Sequence, residues 1–161
     1  MKIIKGRVLV LGENVDTDQI LPGYAMAEPF DQLGKFAMAG RPDIAPRISP
    51  GVILVAGNNF GCGSSREQAP ITLKMAGVSL VVAVNFARIF RRNAINIGLP
   101  VYTADIAGFV RDDDVIEVDL VNGVITCVDK TINAAPLSAS VLKTLEYGGL
   151  IPKVRAELNL A

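Results

Sequence analysis

GVILVAGNNFGCGSSREQAPITLKMAGVSLVVAV, residues 51–84, is the stretch that decides the fold. Residues 52–56 form a continuous apolar run of strand length, rich in β-branched side chains, and read as a strand buried on both faces. NNFGCGSSREQAP (58–70) has the glycines, hydroxyls and charges of a loop. QAPITLKMAG (68–77) reads as a helix that Gly77 stops, and VSLVVAV (78–84) as a second buried strand. Strand, glycine-rich loop, helix, strand is a βαβ unit, and its usual outcome is a pair of parallel strands.

The pattern extends in both directions. RVLVL (7–11) reads as a strand, followed by the acidic, turn-rich GENVDTDQILPGY. PFDQLGKFAMAG (29–40) predicts a short helix with Pro29 near its first turn. Pro42, Pro46 and Pro50 make the next stretch neither helix nor central strand. NFARIFRRNAINIGLP (85–100) predicts a helix capped by Asn85, with Phe86, Ile89, Phe90, Ala94 and Ile97 apolar at helical spacing and Gly98 and Pro100 as the stop. Arg88, Arg91 and Arg92 fall on its other face and read as a solvated stripe in preference to an anion or partner contact. Asn122-Gly123 between β-rich runs predicts a hairpin with a type I′ turn. SASVLKTLEYGG predicts a last helix, capped by Ser138 and stopped by Gly148. The expectation is one α/β domain over residues 1–161.

Composition removes several classes of function. Lys plus Arg (16) equals Asp plus Glu (16), with no long run of either sign, so the footprint of a nucleic-acid binder is absent. The apolar stretch in MKIIKGRVLVLGENVD is too short for a signal-peptide core or a membrane span, and the expected location is the cytoplasm. Cys62 and Cys127 form no C-x-x-C pair, which argues against a zinc site or a disulfide framework and predicts no metal on this chain. The chain has no histidine. That excludes any mechanism drawing a histidine base or metal ligand from it. Half the residues are hydrophobic and the mean hydropathy is +0.39, values that fit either a well-filled core or apolar surface covered by another subunit.

The loop asks for more than a turn. Ser64-x-x-Glu67 and Ser65-x-x-Gln68 both match a capping box, and only one serine can serve as the cap. The other hydroxyl is left at a helix start, where free N–H groups favour negative charge. Gly61 and Gly63 allow close backbone approach, and Arg66 offers a planar fork suited to a carboxylate. Pro70 either removes one helical hydrogen bond or sets the helix start later. The phosphate-loop, dinucleotide and nucleophile-elbow patterns are all absent. On these residues alone, a non-enzymatic carboxylate- or phosphate-binding module is a possible reading.

GCGSSRE, followed by NFARIF and NIGLP and preceded by DTDQI, resembles the isopropylmalate dehydratase small subunits of the aconitase family, across residues 16–100. The resemblance implies a swivelling β/β/α domain with three layers and a central, mostly parallel sheet. It also implies a hydro-lyase active only with a large subunit that carries a [4Fe-4S] cluster, acting on a small dicarboxylate in leucine biosynthesis. Ser64 would be the catalytic base, and Asp18 would face the partner across the site. Ser65, Arg66 and Gly63 would bind substrate. Homoaconitase and a hydratase of a methyl-substituted malate are the alternatives within the family. Two departures stand out. Gln68 replaces a histidine common in relatives, and Gly23, Tyr24, Ala25 and Met26 replace an Arg-Tyr-Leu sequence in the loop linked to substrate choice. DTD on its own also suits an Asx-type turn.

Overall fold

The computed structural model describes residues 3–159. Its βαβ unit is β2 (Ile53–Ala56), α2 (Gln68–Met75) and β3 (Leu80–Ala83), preceded by β1 (Ile3–Gly12) and α1 (Thr17–Ile20). α3 (Arg88–Asn96) and β4 (Val101–Thr103) follow, then β5 (Val115–Asp119), β6 (Val124–Cys127) and β7 (Lys130–Asn133), and finally α4 (Ala139–Glu146) and α5 (Leu150–Glu157). The seven strands lie in the order β4-β3-β2-β1-β5-β6-β7. β1 to β4 run parallel, with Ile53 opposite Leu80 and Val8 opposite Ile53, and β5 to β7 extend the sheet antiparallel.

β1 belongs to both halves. Residues 3–7 pair with β5, whereas residues 8–12 pair with β2 through an irregularity between Val10 and Gly12. The antiparallel half thereby folds over the parallel half. Because strand side chains alternate in direction, Ile53, Val55, Leu80 and Val82 meet Ile116, Val118 and Ile125 of β5 and β6 in one core. Leu54, Ala56, Val81 and Ala83 point the other way, onto Ala69 and Leu73 of α2 and Phe90 and Ala94 of α3. Each fully buried Leu, Ile or Val contributes about 1.5–3 kcal/mol relative to exposure. Antiparallel strands, parallel strands and helices are the three layers of the expected β/β/α arrangement.

Beyond the reach of β5, the exposed edge of β1 is closed by a turn. The Val10 N–H donates to Asp112 Oδ1 (2.7 Å), and an Arg47 N–H donates to Asp112 Oδ2 (3.0 Å). The amide first and the guanidinium second hold the Asp112 carboxyl below its usual range. A carboxylate with a lowered folded pKa adds stability above its unfolded value and loses it as pH falls through the folded value. Asp112→Asn should therefore unfold at lower urea than the unsubstituted chain at pH 7, and the gap should narrow as pH falls below the ordinary aspartate range and through the lowered folded value. A gap independent of pH would refute this linkage.

Local pattern and structure part at three places. Residues 29–40 carry a 3-10 helix, Phe30–Phe36, instead of an α-helix. The Leu33 carbonyl accepts from the buried Thr72 hydroxyl, and the Ala37 N–H turns to Gly34 instead. α3 is capped by Ala87, not Asn85, and buries Phe90, Ala94 and Ile95 while Ile89 stays exposed. The β5–β6 hairpin forms at Asn122-Gly123, but only Gly123 has positive φ (72°), and Asp119 Oδ1 accepts from the Val121 and Asn122 N–H groups (3.0 Å each). A type I′ turn needs positive φ at both central residues, so this turn is of another kind.

Candidate functional site

The loops that leave β1, β2 and β3 emerge at one edge, outside the carboxyl ends of parallel strands, where open α/β sheets bind ligands. Backbone bonds stitch the three together. Gly61 N donates to Val15 O (2.8 Å) and Thr17 N to Cys62 O (2.9 Å) on one side, while on the other Phe60 N donates to Asn85 O (3.1 Å) and Ala87 N to Phe60 O (2.9 Å). The loop after β2 is thus held between its two neighbours by isolated β-bridges, Asp16 with Cys62 and Phe60 with Phe86. Asparagines lock the junction: Asn59 N donates to Asn85 Oδ1 (2.7 Å), Asn59 Nδ2 to Asn14 Oδ1 (3.1 Å) and Asn85 Nδ2 to Asn58 Oδ1 (2.9 Å). Asn14 and Asn59 adopt positive φ (52° and 60°), which asparagine tolerates better than most residues. Sequence reasoning missed this network. The signal was present as asparagines directly after strand ends.

An aromatic cluster sets the opposite wall. Phe60, fully buried, packs edge-on against Phe86 (5.8 Å between centroids) and Phe90 (5.2 Å). Gly61 has φ +83°, and a Cβ there would lie 2.3 Å from the Phe90 ring, so only glycine lets the loop seat against α3. NFARIF therefore has a packing role that its helical periodicity did not reveal.

The serine loop departs from the expected cap. α2 begins at Gln68 after Glu67, and no side chain caps it. Neither capping box forms. Pro70 lies in the first turn, where its missing N–H has no intrahelical partner to lose. Ser64 and Ser65 are both exposed and free of capping duty. With Thr17, Gly63 and Arg66 they line a cavity of about 190 Å³ whose far side is Ala87, Arg88, Ile89, Phe90 and Asn93. Gly63, at φ +98°, lies against buried Thr17, whose Oγ1 would be 3.2 Å from an added Cβ.

The three residues of DTD divide the work. Asp16 caps α1, its Oδ1 accepting from Gln19 N (2.9 Å), and Thr17 is buried. Asp18 projects outward, its side chain 70% exposed, and pairs with Arg66, whose own side chain is only 17% exposed. The Arg66 guanidinium also donates to Leu21 O (3.0 Å). The turn is made by Asp16, which leaves Asp18 to pair with Arg66.

Gly23–Ala27 is a 3-10 helix on the rim of this pair. Gly23 faces Arg66, with 3.8 Å between its would-be Cβ and the guanidinium. Tyr24 is exposed and edge-on to Phe36 (6.4 Å). Ala25 points inward, fully buried with Leu21 and Leu33, and Met26 packs half-buried on the same cluster. The structure thus gathers Asp18, Gly63, Ser64, Ser65 and Arg66, adds Gly23 and Tyr24 at the rim, and turns Ala25 away. Gln68 is half-buried in the first turn of α2.

Among the described residues no three Cys, Asp or Glu side chains stand close enough to share a metal ion. Cys62 lies half-buried in the site loop, while Cys127 sits in the other core, where burial pushes its thiol pKa up. These donors do not fit an iron–sulphur cluster. No helix among the described residues is long and apolar enough to cross a membrane.

With this geometry in view, the chain can be compared with known proteins. The aconitase C-terminal domain family matches residues 38–105. The 3-isopropylmalate dehydratase small subunit of Halothermothrix orenii is 45% identical, over 98% of this chain and 99% of that one. The methanogen homoaconitase small subunit of Methanothermobacter thermautotrophicus is 48% identical, over 92% of this chain and 89% of that one. A crystal structure of 3-isopropylmalate dehydratase from Methanocaldococcus jannaschii matches with a TM-score of 0.91 at 39% identity, covering 98% of this chain and 96% of that one. Likeness over nearly the whole length, in sequence and in fold, means that the chain belongs to the aconitase family, among its 3-isopropylmalate dehydratase-type small subunits.

Proposed function

We propose that this chain is the small subunit of a cytoplasmic 3-isopropylmalate dehydratase, which interconverts 2- and 3-isopropylmalate by dehydration and rehydration in leucine biosynthesis. The observation that carries the reading is the cavity in which two uncapped serines stand beside an arginine already oriented by Asp18. Arg66 binds one substrate carboxylate, Ser65 donates a hydrogen bond, and Gly63 lets the substrate approach the backbone. Ser64 Oγ, as an alkoxide, takes the proton from substrate carbon, and the hydroxyl on the neighbouring carbon leaves as water with a proton donated from the large-subunit side of the site. Ser64 returns its proton to the alkene when water adds at the other position. A serine oxyanion needs the nearby guanidinium and a dry site, because donors count for more once water is expelled. The open mouth of the cavity is the face that a large subunit would close. A [4Fe-4S] cluster on that subunit would supply a Lewis acid for the leaving hydroxyl.

A passive anion-binding module is less well supported. Such a site gains nothing from an aspartate competing for its arginine, whereas Asp18 is paired with Arg66. Homoaconitate and methyl-substituted malates remain the rival substrates, the first kept in view by the homoaconitase relative. The test is reconstitution: the purified chain alone should bind no stoichiometric iron and form no alkene, and adding its native large subunit should produce both isomers. Turnover by the isolated chain would overturn the two-subunit reading.

A further inference from the structure

Two cations line the cavity, and the reading above uses only Arg66. The second is Arg88, exposed in the first turn of α3 and lining the same cavity as Ser64 and Ser65. We infer that Arg88 binds the second carboxylate of the substrate and makes the cavity selective for dicarboxylates over monocarboxylates. This rests on the proposed hydro-lyase reading for the identity of the substrate, and on geometry for the rest.

Arg66 is poorly placed to hold both ends of a diacid. One of its guanidinium nitrogens is engaged by Asp18 and the Leu21 carbonyl, which leaves capacity for a single carboxylate. Two arginines from the segment after the rim loop are committed elsewhere. Arg41 pairs with Asp43 and donates to Leu11 O, and Arg47 pairs with Asp112 and Asp113. Arg88, by contrast, has no hydrogen-bond or ion-pair partner among the described residues, and its neighbours Ser64, Ser65, Ala87, Ile89 and Asn93 include no carboxylate. A free guanidinium beside an uncommitted amide, Asn93, is what a carboxylate requires. The wall is also rigid. Phe86 and Phe90 flank Arg88 in sequence, stack on each other (6.5 Å) and grip Phe60, so the base of α3 is indexed to the serine loop. Arg91 and Arg92 lie on the same helix and share a neighbouring cavity with Arg88 and Ile89, but only Arg88 also lines the serine cavity. They supply an internal control.

The experiment compares the reconstituted enzyme carrying Arg88→Gln, Arg88→Lys or Arg91→Gln, with succinate and its monoamide succinamate as competitive inhibitors. Arg88→Gln should raise KM and the inhibition constant of succinate by roughly 10- to 100-fold. It should leave succinamate nearly unchanged, so that discrimination between the two inhibitors collapses. Arg88→Lys should restore part of it, and Arg91→Gln should behave as the unsubstituted enzyme. Titrating succinate into the isolated chain, followed by amide NMR, reads the same site without turnover: resonances of residues 63–66 and 88–93 should shift, and Arg88→Gln should abolish the preference over succinamate. If the reconstituted enzyme has no activity but the titration behaves as expected, the hydro-lyase reading falls and the dicarboxylate site stands. Unchanged succinate discrimination in Arg88→Gln, or a loss confined to affinity for the large subunit, overturns the inference.

Discussion

Ser64→Ala in the assembled enzyme is expected to lower kcat by about 10²–10⁴-fold, the range for loss of a positioned proton-transfer group, with little change in KM. The reason is the geometry of the loop. Ser64 and Ser65 are both free of the helix cap and both line the cavity, so the substitution removes an oxygen without unwinding α2. Ser65→Ala removes only a hydrogen-bond donor and should cost less. Arg66→Lys should act mainly on KM, because a point charge cannot reproduce a fork that serves Asp18, the Leu21 carbonyl and substrate together. Steady-state kinetics of the three variants separate the roles. Near-normal kcat in Ser64→Ala with a large loss in Ser65→Ala would exchange the two serines.

Charge on the substrate should be rejected more sharply than size. Burying an unpaired carboxylate costs several kcal/mol, whereas one misplaced methylene costs about 1–3 kcal/mol. The rim loop places Gly23 beside Arg66 and leaves Tyr24 exposed next to it in sequence, with no cation among residues 23–27. Arg41 and Arg47 cannot fold back to supply one without breaking their pairs with Asp43, Asp112 and Asp113. The ratio of kcat/KM for isopropylmalate over homoaconitate should therefore exceed about 100, and methyl-substituted malates should fall between them. A preference for homoaconitate, the substrate class named for one close relative, would sink the idea. Tyr24→Arg should raise the relative rate on homoaconitate. Ala25→Arg should instead destabilise the fold, because Ala25 is fully buried against Leu21 and Leu33.

That last contrast marks where local reading stops. GYAM was legible as the loop beside the site, but which of its side chains face a ligand depends on a small core assembled from Leu21, Leu33 and Ile71. The same holds for the serines. Two overlapping capping boxes are a local pattern, and they fail because bonds to Val15 and Thr17 fix the loop at Gly61 and Cys62, the chain bends at Gly63 and Ser64, and α2 starts only at Gln68.

What the chain determines by itself is what short-range chemistry can enforce. The doubly buried runs at 53–56 and 80–83, the helix between them, and the grouping of glycines, serines and Arg66 in one loop needed no partner from elsewhere. The absence of histidine likewise restricted the chemistry from the outset. Tertiary structure alone decided that β1 divides its ten residues between the antiparallel and parallel halves of the sheet and that Leu33 gives up its helical hydrogen bond to Thr72. It also decided that Asp18 meets Arg66 and that Arg88 and Ser64 line one cavity. These are contacts between segments distant in sequence. Their partners are brought together only when parallel strands of fixed register deliver several loops to the same edge, and no periodicity within any one loop encodes that meeting.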